Sequence, residues 1–178
     1  MLLDKYKVIF LDRDGVINID KHYVHKIEDF EFYENIFDIC KYFQELGYEI
    51  IIITNQSGIG RKYFTQSDFS KLTKWMLDKF RVHGLEILDL FYCPHTPEYN
   101  CNCRKPKSGM VLEACKKYDI DLKKSWVIGD KVTDIDLAYN SGIKNSILIS
   151  NQYLFDKDTL KTNHIIKDVI ESKNIIKA

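Results

Sequence analysis

"KVIFLDRDGVIN", Lys7–Asn18, carries an apolar strand pattern straight into two aspartates. Val8–Leu11 is a continuous run of Val, Ile, Phe and Leu, the composition of a strand buried on both faces. Strand residues i and i+2 share a face, so this spacing places Asp12 and Asp14 side by side where the strand ends. Neighbouring carboxylates repel unless a cation or a shared proton holds them together. The stretch therefore calls for a metal ion, an acid/base pair, or both.

Similar punctuation recurs along the chain. Glu49–Ile53, Ser125–Ile128 and Ser146–Ile149 read as further short strands rich in Ile and Val. Between them lie amphipathic segments. Asn35–Leu46 places Ile36, Phe37, Ile39, Cys40, Phe43 and Leu46 at helical spacing and stops at Gly47. Thr65 opens a helix with the capping-box pattern "TQSD", running to about His83. Ser108–Tyr118 and Asp134–Asn140 are two more, the last stopped by Gly142.

This alternation predicts an α/β fold, a mainly parallel sheet with helices on both faces. In such folds ligands sit beyond the carboxyl ends of the strands. "DRDG", "TNQSG" and "GDKVTD" each follow a strand, so the polar clusters belong to one site. The interval from Asp12 to Thr54 holds one helix and one strand besides a loop, with no room for a large cap domain. Asp20–Tyr33, "DKHYVHKIEDFEFY", is the lid loop of this reading. Thr162–Ala178 reads as a last strand and helix on the sheet edge.

The 178 residues fit one globular domain, 1–178, with 45% apolar and 29% charged residues. Twenty-six basic and 26 acidic residues balance, against the cationic excess that nucleic-acid binding requires. The start, "MLLDKYK", is too charged and too short in its apolar run for a signal peptide. No run approaches a membrane span, so the expected location is cytoplasmic. A monomer is the default expectation. Five cysteines in such a chain point to metal or buried thiols before disulfides.

The chemistry of the strand ends suits phosphoryl transfer. Asp12 as nucleophile gives an aspartyl phosphate and splits hydrolysis into two easier displacements. Asp14 then protonates the leaving alcohol and deprotonates the attacking water. Mg²⁺ takes oxygen ligands and keeps several waters, so Asp12 and Asp130 suffice, with Asp134 as a water-mediated or supporting partner. Thr54, Asn55 and Ser57, with Gln56 between them, offer small donors to a phosphate. Lys105 and Lys131 add positive charge where charge develops.

"CPHTPEYNCNC" places Cys93, His95, Cys101 and Cys103 within eleven residues. Three thiolates and an imidazole complete a tetrahedral zinc set with no open position, which marks a structural ion. Cys103 runs directly into Arg104 and Lys105, so the zinc loop, 93–105, delivers the phosphate-binding lysine. Cys40 and Cys115 fall in helices and read as small buried apolar groups.

"FLDRDGVIN", "TNQSGIG", "CRKPKSGM" and "GDKVTDIDLA" resemble, in order, the four motifs of the haloacid-dehalogenase-type phosphatases. Within that superfamily they are most similar to the D-glycero-D-manno-heptose 1,7-bisphosphate 7-phosphatases and the related histidinol-phosphate phosphatases. The resemblance spans about residues 7–150. It implies a Rossmann-like three-layer core, Asp12 as nucleophile and Asp14 as general acid/base. Mg²⁺ is implied at Asp12, Asp130 and the Asp14 backbone carbonyl. Thr54 and Lys105 are implied to steady the transferring phosphoryl group. Asp20, Lys21, His22 and Tyr23 become substrate contacts by the same resemblance, with His25 either joining them or packing within the loop. The related phosphatases carry the same kind of Cys/His cluster.

The leading function is thus Mg²⁺-dependent hydrolysis of the C7 phosphate of a heptose 1,7-bisphosphate, a step toward nucleotide-activated heptose for surface polysaccharide. Arg104 would engage the phosphate that stays, because a fork of donors suits a phosphate dianion. The alternative is histidinol phosphate, whose cationic amine favours acids over Arg104. A zinc-stapled module without catalysis, for instance on RNA, is a third reading. Zero net charge and the intact aspartate pair count against it.

Overall fold

A computed structural model describes residues 5–150 and 153–177. Residues 1–4, part of the N-terminal run weighed above as a leader, lie outside the described residues. Six strands form one sheet in the order β3-β2-β1-β4-β5-β6: β1 Val8–Leu11, β2 Glu49–Asn55, β3 Asp89–Cys93, β4 Trp126–Gly129, β5 Asn145–Ile149 and β6 Ile165–Ile166. Every neighbouring pair is parallel. From β1 the chain steps outward through β2 to β3, then returns to β4 on the other side of β1 and continues to β5 and β6. The switch point of the sheet therefore lies between β1 and β4, where open parallel sheets place their ligands.

Alternation in the buried strands sorts the core into two layers. Ile9, Leu11, Ile50 and Ile52 face one cluster with Ile39, Phe43, Met76 and Phe80. Val8, Phe10, Ile51 and Ile53 face the other with Met110, Val111, Leu137 and Ala138. The first layer is supplied by α1 Ile36–Glu45 and α3 Gln66–Val82, with the short α2 Ser57–Gly60 between them in the chain. The second is supplied by α4 Gly109–Lys117 and α5 Val132–Ser141. The expected capping box is present at α3. Thr65 accepts from the Asp68 N–H at 3.1 Å, and the Asp68 carboxylate accepts from the Thr65 N–H at 2.9 Å.

One strand escaped the sequence pattern. In β3, "DLFYC", only Cys93 is fully buried, because it is an edge strand. Edge strands lack the continuous apolar run that marked the others. β6 has two residues and pairs with β5 as the sheet's other edge, as expected of the C-terminal segment. The helix expected after it is a 3₁₀ turn series, Val169–Asn174.

The first strand also ends sooner than the spacing of its aspartates requires. Pairing stops at Leu11, and Gly15, at φ 88, turns the chain back so that its N–H bonds the Asn18 carbonyl at 2.7 Å. Asp12 and Asp14 consequently do not lie side by side on one strand face.

Candidate active site

Three carboxylates meet where β1 and β4 end: Asp12, Asp130 and Asp134 offer oxygens within 4.8 Å of one another, and all three residues are buried. Asp134 lies in the first turn of α5, whose start returns the chain onto the strand ends. Lys105 holds the group together. Its ammonium stands 2.8 Å from Asp12 Oδ2 and 2.6 Å from Asp134 Oδ1, and it donates to the Ile53 carbonyl at 3.2 Å. Asp12 Oδ1 accepts the Arg13 N–H at 2.7 Å.

Burial and like charge show in the proton affinities. Burial pushes the Asp12 carboxyl up to about 6, with Lys105 opposing and Asp134 adding to the rise. Asp130 is pushed further, to about 8, by burial and then by Asp12. Burial works against the charge of Lys105, yet Asp12 and Asp134 raise it above the ordinary lysine value. Such shifts mark a site short of positive charge.

Asp130 is the side chain that most needs a cation. Both of its carboxylate oxygens are buried without a hydrogen-bond partner, and the Lys131 ammonium is 4.0 Å away. Room for it depends on Gly15, where an added Cβ would come within 2.0 Å of Asp130 Oδ2. Clustered hard oxygen donors and an orphaned carboxylate fit a divalent ion such as Mg²⁺.

Asp14 is held apart from this trio. Arg13 Nη2 donates to Asp14 Oδ1 at 2.8 Å and Arg13 Nε to Oδ2 at 3.1 Å. Asn18 Nδ2 and Gln56 Nε2 each donate to it at 3.0 Å. Gln56 also donates to Thr54 Oγ1 at 2.9 Å, which joins the buried end of β2 to Asp14. Asn55 grips the backbone of Lys105, accepting its N–H at 3.1 Å and donating to its carbonyl at 3.4 Å.

A cavity of about 310 Å³ opens above these groups, within the range of small-molecule sites. Asp14, Asn55, Gln56, Ser57 and Lys105 line it from the strand ends, and Asp20, His22, Tyr23, Arg104 and Lys131 from the surrounding loops. His22 and Tyr23 stand at φ 59 and 52, left-handed values that turn the loop at this point. Lys21 and His25 are placed differently. Lys21 pairs with Glu31 at 2.9 Å on the exposed side. The His25 ring stacks on Phe64 with centroids 4.9 Å apart, and its Nδ1 meets the Tyr23 carbonyl at 2.8 Å.

Three contributors went unseen in the sequence. Tyr153 lines the cavity, donates to Asp20 Oδ2 at 2.7 Å, and lies with its ring 4.5 Å from the Lys131 ammonium. Lys131 also reaches Asp20 at 3.2 Å. Thr133 lines the cavity from the first turn of α5. Arg13, between the two motif aspartates, is almost wholly buried. The "DRDG" and "GDKVTD" motifs flagged the neighbourhoods of Arg13 and Thr133. Nothing local flagged Tyr153, which arrives from beyond β5.

The Cys/His cluster is assembled at the end of β3. Cys93, His95, Cys101 and Cys103 bring their ligand atoms within 4.8 Å of one another. Cys93 and Cys101 Sγ are 3.5 Å apart, and Cys101 and Cys103 Sγ are 3.4 Å apart. His95 Nδ1 lies 3.4 Å from Cys103 Sγ and 3.7 Å from Cys93 Sγ. Tetrahedral zinc with bonds of about 2.0–2.3 Å separates its ligands by about 3.5–3.8 Å, so the set fits the ion as it stands. Burial pushes the Cys93 thiol up to about 12. For Cys101, burial is outweighed by hydrogen bonds from Cys103 and Cys93, which lower it to about 6. Arg104 Nη1 donates to the His95 carbonyl at 3.3 Å, so the cluster and the cavity share a wall.

Comparison with known proteins agrees with this geometry. The family model described as polynucleotide kinase 3 phosphatase matches residues 7–161. A Campylobacter jejuni protein named D-glycero-alpha-D-manno-heptose-1,7-bisphosphate 7-phosphatase is 49% identical over 148 residues, covering 83% of this chain and 85% of that protein. A Helicobacter pylori protein, named as the beta-heptose enzyme, is 43% identical over 175 residues, covering 96% of this chain and 98% of its own. The crystal structure of D,D-heptose 1,7-bisphosphate phosphatase from B. bronchiseptica, complexed with magnesium and phosphate, superposes with a TM-score of 0.79 at 26% identity. It covers 91% of this chain and 93% of that one. None of these names supports the histidinol-phosphate alternative. By its motifs, its sheet and these likenesses, the chain belongs to the haloacid-dehalogenase-like phosphatases of the heptose 1,7-bisphosphate 7-phosphatase family.

Proposed function

We propose that this protein is a Mg²⁺-dependent phosphatase that removes the C7 phosphate of D-glycero-D-manno-heptose 1,7-bisphosphate. One observation carries the reading: a buried carboxylate, Asp12, is crowded by Asp130, whose oxygens have no hydrogen-bond partner, and paired with Lys105, which lines a cavity together with Asp14, Arg104 and Lys131. The names of the relatives supply the sugar.

In the first step an Asp12 carboxylate oxygen attacks phosphorus, and the bond to the sugar O7 breaks with its electron pair leaving on O7. Asp14 delivers the proton that O7 takes up. In the second step Asp14 accepts a proton from water, which attacks phosphorus and releases Asp12 as carboxylate. Lys105 spreads positive charge over the transferring group and keeps Asp12 ionised. Gln56, which also bonds Thr54, holds Asp14, and Asn55 fixes Lys105 through its backbone. Asp12 and Asp130, with the Asp14 carbonyl, would hold Mg²⁺, which when bound neutralises charge between the acids and the incoming phosphate. Arg104 receives the C1 phosphate. Asp20, His22, Tyr23 and Lys131 face the sugar.

The test measures phosphate release by zinc-replete protein with Mg²⁺ from α- and β-heptose 1,7-bisphosphate and from histidinol phosphate. Turnover of a heptose bisphosphate, abolished in Asp12→Asn, is expected, and the faster anomer identifies the natural substrate. Preference for histidinol phosphate, or full activity of Asp12→Asn, would overturn the reading.

A further inference from the structure

Arg13 is the largest fully buried side chain of the described residues, 1% exposed, and it is charged. Buried guanidinium groups are retained where something pairs with them. Here the fork meets Asp14 through Nε and Nη2 at 3.1 and 2.8 Å. The same Nη2 donates to the Val24 carbonyl at 2.8 Å. The guanidinium lies 5.9 Å from the centre of the Phe69 ring. Meanwhile the Arg13 backbone N–H donates to Asp12 Oδ1 at 2.7 Å. One residue thus touches both motif aspartates, the first through its main chain and the second through its side chain.

The hold on Asp14 is directional. Of the four donors on that carboxylate, two come from Arg13 and lie in one plane, so the fork sets the plane of the carboxyl group. Asn18 and Gln56 donate singly and fix no plane by themselves. The Val24 bond adds a second consequence, since Tyr23, the preceding residue, lines the cavity. The orientation of Asp14 and the seat of the loop that faces the substrate depend on one guanidinium.

We infer that Arg13 is a positioning residue, which aims the Asp14 carboxyl group at the leaving oxygen and seats the loop around Val24 in the same contact. The inference rests on Asp14 serving as the acid of the proposed reaction. A buried ion pair with no part in catalysis would hold the fold but would not discriminate between leaving groups.

The experiment exploits that difference on the full-length, metal-loaded protein. Heptose 1,7-bisphosphate has an alkoxide leaving group that needs a proton, whereas 4-nitrophenyl phosphate leaves as a stable phenolate that needs none. Asp14→Ala is expected to slow the first displacement, read as single-turnover release of the alcohol at saturating concentrations and so before the water attack that Asp14 also serves, by about 10²-fold or more on the sugar ester and far less on the aryl ester. Arg13→Met should reproduce that split, and in the Asp14→Ala background it should slow that saturated step no further, the unseated loop around Val24 showing instead as a raised KM. Arg13→Lys keeps the charge but loses the fork, and should show the same split in a protein that retains its charged core. Equal loss on both esters in Arg13→Met and Arg13→Lys would overturn the inference, as would losses that multiply with Asp14→Ala. Should Arg13→Met fail to fold, Arg13→Lys carries the comparison alone. An Asp14→Ala protein that treats both esters alike would overturn the acid assignment itself, a result that the Arg13 variants cannot mimic.

Discussion

The Lys105 ammonium stands 2.8 Å from Asp12, although 93 positions separate the two in the chain. Lys105 comes two residues after Cys103, the last cysteine of the zinc cluster, and is buried with Asp12 at the ends of the strands. The contact links the loop of the Cys/His cluster to the carboxylate proposed as the nucleophile.

Lys105→Met removes the cation shared by Asp12, Asp134 and the Ile53 carbonyl. The expected outcome is a kcat lowered by about 10²-fold or more at saturating Mg²⁺. Lys105→Arg should not restore it, since a planar fork cannot replace a compact ammonium among three oxygens. Steady-state kinetics beside circular dichroism checks both, and wild-type kcat in Lys105→Met would refute the role.

Zinc loss should act on catalysis through the same lysine. Chelation, or Cys101→Ser, is expected to lower the melting temperature and kcat together, because the loop that delivers Lys105 loses its anchor. Zinc addition to metal-free protein at pH 7 should also release protons. Cys101, lowered to about 6, is already thiolate, while Cys93, near 12, and Cys103, also raised, are thiols. About two protons per zinc should therefore appear in an indicator titration. Release of none would mean the cysteines are not the ligands.

The buried acids make stability depend on pH in a definite direction. Asp12, near 6, and Asp130, near 8, both lie above the value of about 3.9 that an unfolded aspartate shows. The native state therefore holds more protons than the unfolded chain across this window, and stability falls as pH rises through it. Zinc-loaded, Mg²⁺-free protein should melt lower at pH 8 than at pH 6. Mg²⁺ should narrow the gap by stabilising the ionised acids. Scanning calorimetry at the two pH values decides, and a melting temperature that rises toward pH 8 without Mg²⁺ would contradict the assignment.

Tyr153 offers a test of the cavity's outer wall. Its hydroxyl bonds Asp20 at 2.7 Å beside the Lys131 ammonium. Tyr153→Phe removes one hydrogen bond within the protein, a loss of about 1 kcal/mol of stability, and by freeing Asp20 should raise KM for heptose 1,7-bisphosphate severalfold. Turnover of 4-nitrophenyl phosphate, which has no sugar to engage there, should stay near the parent value. An unchanged KM for the bisphosphate would place Tyr153 outside the substrate's reach.

Local pattern was enough for most of the architecture. The apolar runs of β1, β2, β4 and β5 are legible because strands buried on both faces tolerate little else. Thr65 with Asp68, and Gly142 at φ 79, marked helix ends because capping is chemistry between near neighbours. The acids and the Cys/His set were legible for a related reason: metal-binding and phosphoryl-transfer groups come from few residue types, placed after strands. The edge strand β3 was not, since half-exposed residues carry no periodic demand.

The sequence by itself determined the parallel α/β fold, the positions of the acids and the four zinc-cluster residues, because each follows from local spacing and side-chain chemistry. Only the tertiary structure decided where Asp14 turns. Asp12 joins Asp130 and Asp134 across the switch between β1 and β4, while Asp14, two residues on, turns away into the fork of Arg13. It likewise brought Tyr153 to Asp20 and turned Lys21 and His25 from the cavity. Such pairings depend on where turns redirect the chain and where distant loops return. A short-range pattern cannot encode them, because the partners become neighbours only when the whole sheet has closed its core.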